Sequence, residues 1–274
     1  MKSKVFKLPF KLGRIALLHD AGDAIHVGGM AFGTNLKATL ISKGKIQGTV
    51  DLGSGLVTNV GVLALANDMN WAAPSAAAIN LFKLLKYHAS GTGVTAAAMT
   101  DIKLQTVSTQ GGQTPVAGTQ VFTPAANLQK IVSVATIAYT GTEAVTEWGF
   151  FNNTPLTAAT GTPWTAGSST TGTLTGTPLT ASSTTVQGQQ QYVAVDSTNA
   201  TPHWGLVTSN TTSVVTVPAW YKVSDGTAAG VSPANTDTVE MRPVMWDHKV
   251  FAAINVLNGD SIQFTYTLTI TAGG

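Results

Sequence analysis

The C-terminal run constrains this chain most. From Ser261 to Ile270, Ile262, Phe264, Tyr266, Leu268 and Ile270 alternate with Ser261, Gln263, Thr265, Thr267 and Thr269. Successive side chains of a strand point to opposite faces. This strict two-residue period therefore predicts a β-strand with one apolar face and one neutral polar face. Asn258-Gly259-Asp260 just before it is a turn signal, and Lys249–Val256 reads as a second strand. Together they are expected to form a hairpin at the centre of the fold.

Composition says what surface accompanies such a strand. Of 274 residues, 43% are hydrophobic and only 10% charged, against roughly 25% charged in an average soluble domain. Such a chain is not disordered by charge excess. Its surface is wetted by hydroxyls, amides and backbone, which cost less to desolvate than ions and suit packing against partners. Cysteine is absent. That excludes disulfides and thiolate metal sites, and it fits assembly in a reducing cytoplasm with toughness supplied by oligomerisation.

The net charge of +2 is unevenly placed. The first 45 residues hold Lys2, Lys4, Lys7, Lys11, Arg14, Lys37, Lys43 and Lys45 against Asp20 and Asp23. A basic end could meet an acidic partner surface or packaged nucleic acid. Val5, Phe6, Leu8, Pro9 and Phe10 interleave these charges and require burial. Residues 1–35 therefore read as an extended basic arm that clamps a neighbouring subunit, with Lys4, Phe6, Lys7, Phe10, Lys11 and Arg14 as its contacts. Lys7, Lys11 and Arg14 break any apolar signal-peptide core. No stretch approaches the ~18 uncharged apolar residues of a membrane helix, so no membrane span is expected.

Ala38–Val50, with Gly44 in its middle, reads as a hairpin, and Ser75–Lys86 as a helix with Ser75 as N-cap. Leu56–Met69 has mixed periodicity. Gly91 and Gly93 are expected to stop the helix, and Thr95–Asp101 to add a helical turn. Pro115–Phe122 and Gln129–Thr140 are strand candidates, the second β-branched enough to be buried on both faces. Residues 152–240 differ in composition. Asn153–Ala158, Gly161–Ala166 and Gly176–Ala181 share a T-P-[LW]-T-A core. Proline forbids a central strand, so these units are expected at the surface. Val186–Val195, Trp204–Val207, Ser213–Val217 and Tyr221–Val223 read as short strands.

No catalytic constellation stands out. His19, His26, His88, His203 and His248 lack metal-ligand spacing, and His88, His203 and Asp247 could share a metal only if the fold gathered them. Ser54 and Ser90 do not sit in a nucleophile elbow. His88–Gly93 lacks the lysine of a phosphate loop. Glu143 and Glu147 lie four apart in a β context, unlike paired carboxylates across a cleft. Trp164, Trp204, Trp220 and Tyr221, together with Tyr192, offer either a sugar-stacking platform or buried anchors. No helix carries a basic stripe for nucleic acid. No cofactor, metal or catalytic residue is assigned, and no enzymatic activity is expected.

Several segments resemble a family of tailed-bacteriophage virion structural proteins. They are Asp51–Gly61, Tyr87–Gly93, Ile131–Thr140, Glu147-Trp-Gly-Phe-Phe151, Asp247-His-Lys-Val-Phe251 and the C-terminal Gly259–Gly274. The resemblance covers roughly 51–151 and 245–274. Residues 152–240 and the basic arm depart from the family's pattern. It implies a virion component assembled in the host cytoplasm, of minor head, decoration or fibre type.

The expected fold is mainly β. It has an antiparallel β-sandwich or jelly-roll-like base (36–151 and 241–274) with one short helix, a Thr/Ser/Gly-rich β insertion (152–240) and the arm (1–35). The expected role is a capsid decoration or cement protein, a homo-oligomer, preferably a trimer, bound to the major capsid protein or other virion proteins. The alternative is a tail or head fibre subunit that binds host glycans.

Overall fold

The computed structural model describes residues 15–16, 24–27, 30–69, 81–125, 128–155, 159–179, 192–230 and 233–272. The arm residues Lys4, Phe6, Lys7, Phe10, Lys11 and Arg14 lie outside them, as does the first half of the helix expected over 75–86.

The chain is mainly β. In order, the base contributes β1 (Ile15–Ala16), β2 (Ala24–Val27), β3 (Met30–Ser42), β4 (Lys45–Gly53), β5 (Leu56–Val57), α1 (Asn59–Met69), α2 (Leu81–Leu84) and β6 (Tyr87–Gly91). It continues with β7 (Val116–Ala117), β8 (Thr119–Ala125), β9 (Leu128–Ala138) and β10 (Glu143–Phe151). The insertion supplies β11 (Trp164–Gly167), β12 (Thr171–Leu174), β13 (Tyr192–Asp196), β14 (His203–Val207), β15 (Ser209–Asn210) and β16 (Val214–Thr216). It ends with β17 (Trp220–Lys222), β18 (Ala228–Ala229) and β19 (Val239–Pro243). The chain returns to the base as β20 (Met245–Val256) and β21 (Ser261–Ala272).

Two antiparallel sheets form the base, β1-β2-β3-β21-β9-β8 with β4 also on β3, and β5-β20-β10-β6-β7. The alternation at the C-terminus works as its period requires. β21 lies between β3 and β9, with Ile262, Phe264, Tyr266 and Leu268 buried and the intervening threonines half-exposed.

Its relation to β20 differs from the expected hairpin. β20 belongs to the other sheet, and residues 257–260 carry the chain across the sandwich. Both strands are apolar on the side that meets the core. A hairpin would set those sides edge to edge, whereas the crossing sets them face to face, Phe251 against Phe264 and the Trp246 indole N–H donating to the Tyr266 hydroxyl. β9 is likewise not buried on both faces. Ile131, Ala135 and Ile137 enter the core while Lys130, Thr136 and Ala138 are exposed. The segment expected as an arm to residue 35 also ends earlier, because β2 and β3 already belong to the sheet.

Leu56–Met69 resolves as α1. Thr58 caps it, its hydroxyl accepting the Gly61 N–H at 3.1 Å. The helix packs between β20 and β14, so it has no single apolar stripe, and its sequence period was mixed for that reason. Gly61 permits the close approach, since a Cβ there would lie 3.0 Å from the Trp246 Cα. Gly91, expected with Gly93 to stop a helix, instead ends the strand Tyr87–Gly91 that pairs with β10, and 95–101 is irregular.

In the insertion, β13 and β14, in the sheet β18-β17-β14-β13-β19, are buried on both faces. Val193, Val195, Trp204 and Leu206 join the base core. Tyr192, Ala194 and Val207 face a second core with Trp164, Leu174, Leu179, Val215 and Trp220. That core is closed by the sheet β11-β12-β16-β15. Against the surface placement expected of the repeat units, the second and third put their apolar residue inside, Trp164 and Leu179, each after a glycine of positive φ (84° at Gly161, 69° at Gly176), while Leu156 of the first lies outside the described residues.

Candidate functional site

Three adjacent ionisable residues, Asp247-His248-Lys249, interrupt an otherwise apolar strand. Beyond the bulge at Trp246 the strand alternates, so Asp247 and His248 go to opposite faces. Asp247 points between the sheets, where its Oδ2 accepts the Tyr266 hydroxyl at 2.9 Å. Among the described residues its buried Oδ1 has no hydrogen-bond partner. Burial pushes its carboxyl up to about 7, although the Tyr266 hydrogen bond opposes this. His248 points the other way, beneath the loop 92–111.

There His248 is fully buried between two carboxylates, Nδ1 at 2.7 Å from Asp101 and Nε2 at 2.8 Å from Glu147. Desolvation alone would pull the imidazole down. The two carboxylates outweigh it and push it up to about 9. Both nitrogens therefore carry protons and donate. Glu147 is the hub. Its carboxylate also accepts the N–H groups of Gly93 and Thr106, each at 3.1 Å, and of Gln105 at 2.5 Å. Burial raises its pKa, but the His248 bond and these backbone donors prevail and hold it below the usual range. Glu143, on the same strand, takes the Ser108 hydroxyl and the Thr109 N–H. Asp101 completes the loop by accepting the Ala98 N–H at 2.7 Å.

This arrangement fastens a loop. A general base needs a nitrogen with a free lone pair within reach of substrate, and a doubly clamped imidazolium has none. Glu143 and Glu147 are spent on N–H and hydroxyl donors of the loop and on His248. The Ser90 hydroxyl donates to Gly111 O at 3.1 Å and accepts from Tyr139. Beside the latch lies an open cleft of about 400 Å³, lined by Ser54, Gly55, Val94, Ala96, His248 and Lys249. The Lys249 ammonium is tied to Ser54 O.

The candidate metal trio is not brought together. His88 is held by Ser133 and by the Trp148 indole N–H at its Nδ1, so it is the Nε2–H tautomer. Burial brings it down to about 3. His203 pairs with Asp196 in the insertion. No group of three acidic or histidine side chains among the described residues is placed to hold a metal.

The aromatic platform is likewise not present as a surface. Trp164, Trp204 and Trp220 are at most 3% exposed, because both faces of the insertion's central sheet are covered. Trp164 and Trp220 meet edge to face at 5.9 Å. Trp204 stacks on Tyr221 at 4.7 Å, and Tyr221 alone of the four is half-exposed.

Sequence reading missed Asp101, Glu147 and His248 as a unit. Each lies far from the others along the chain, and the only local signal was an Asp-His pair inside a buried strand. No protein-family model matches the chain, and no curated protein or solved structure matches it either.

Proposed function

We propose that this chain is a structural component of a tailed-phage virion, a capsid decoration protein that works by surface contact rather than by chemistry. The observation that carries the reading is where the ionisable groups go. Asp101, Glu143, Glu147 and His248 are spent on fastening the protein's own loop, while the outward face of the β3-β21-β9 sheet carries mostly hydroxyls, amides and aliphatics and few charges. Such a surface is cheap to desolvate against a neighbouring protein. Partners are the major capsid protein or other virion proteins, and further copies of the chain. Many weak, symmetric contacts would add by avidity. A glycan-binding fibre role draws little support, since its proposed tryptophans form core.

The basic N-terminal segment is the proposed attachment. Because β1 begins at Ile15, removal of residues 1–14 spares every described strand. The truncated protein is expected to keep its circular dichroism and melting behaviour but to lose binding to shells of its own phage. Normal shell binding by the truncated chain would overturn the attachment mechanism.

A further inference from the structure

The five strands β4, β3, β21, β9 and β8 present one broad face away from the core. Register aligns its residues in rows. Thr49, Thr39, Gln263 and Thr136 form one, with Thr39 and Thr49 hydroxyls 2.8 Å apart. Asp51, Lys37, Thr265, Val134 and Thr119 form the next, and Asn35, Thr267, Val132 and Val121 the third. Val121 and Ile46, at opposite margins, are 54% and 71% exposed.

A sheet face meant only for water usually scatters charges. Here Lys37 and Asp51 neutralise each other at 3.8 Å, and Lys130 is the other charged side chain of the face among the described residues. The strands make it about 34 Å by 24 Å, on the order of 800 Å², which is what one partner contributes to a standard stable interface. Its hydroxyls and amides both donate and accept, so the face is complementary to itself, as a charged face of one sign is not. The sheet's edges point against strand-to-strand growth. β8 carries Pro124, and β4 carries Lys45 and two register shifts against β3.

We infer that this face is the contact between two copies of the chain, packed sheet on sheet about a twofold axis near Thr265 and Thr267. This rests on the assembly reading above and makes its first contact twofold, where the expected decoration role had favoured a trimer. The test is sedimentation velocity of the full chain over a concentration series. Wild type is expected to run as a dimer, and the double variant Thr265→Arg/Thr267→Arg as a monomer, with affinity at least tenfold weaker and unchanged circular dichroism. If that variant misfolds, Thr136→Arg, at an exposed position of the same face, is read in its place. A monomeric wild type, or a dimer indifferent to whichever folded variant is read, would overturn the proposal. Failure of the chain to bind shells while the dimer behaves as expected would overturn the virion reading alone.

Discussion

The insertion and the base bury a sheet in different ways. In the insertion, β13 and β14 are covered on both faces mainly by hydrocarbon and indole. In the base, β10 and β20 turn Trp148, Phe150 and Trp246 to the core, while Glu147 and His248 lie beneath a loop and hold it by charge. An apolar cover needs area and gives stability that hardly depends on pH. An ionic cover needs few residues, can fasten a loop with no regular structure, and binds its stability to protonation.

The largest effect should come from breaking the apolar side. Trp220 is fully buried, so Trp220→Ala should lower unfolding stability by about 4 kcal/mol, read by denaturant titration. A loss below about 1 kcal/mol would mean the insertion core is loosely packed.

The next effect sets the ionic side apart. His248 sits at about 9 against 6.5 for the free side chain. Its contribution is therefore fully present below pH 6.5 and is lost as pH rises through 9. Glu147 is depressed, so its contribution holds above its ordinary value and fades as pH falls through the lowered one. At about 1.4 kcal/mol per pKa unit, the alkaline loss amounts to about 3 kcal/mol. After correction for intrinsic rates, exchange of the Gly93, Gln105 and Thr106 amides should accelerate between pH 6.5 and 9, while Val193 and Val195 stay protected. Equal acceleration in both regions would erase the distinction. Asp247, raised to about 7 from 3.8, has the same sign as His248 in a lower window. Its contribution is present below pH 3.8 and lost through 7, and Asp247→Asn should remove that slope from a melting-temperature series.

The smallest effect tests whether the insertion's repeats are structural equivalents. Gly161→Ala and Gly176→Ala each place a side chain at positive φ, which should cost about 1 kcal/mol apiece. Unequal costs would show that the two turns do different jobs.

The parts legible in the sequence were those where one period decides. β21 declared its faces, whereas the T-P-[LW]-T-A units, expected at the surface because of their prolines, bury Trp164 and Leu179. The hairpin misreading at 249–270 arose because alternation fixes which face is apolar but not whether the next strand lies beside it or across from it. α1 was obscure because two layers cover it. The latch was invisible because Asp101, Glu147 and His248 meet only once β10, β20 and the loop are assembled. The tryptophans of the insertion were ambiguous because composition cannot tell a surface ring from one closed in by a second sheet.

Salt separates neutral contact from charge attraction most directly. In sedimentation velocity of the full chain, self-association should be nearly the same at about 0.1 M and 1 M salt, since screening acts on exposed charges and leaves area-driven contact in place. Dissociation of the dimer by moderate salt alone would contradict a partnership built on neutral β surface.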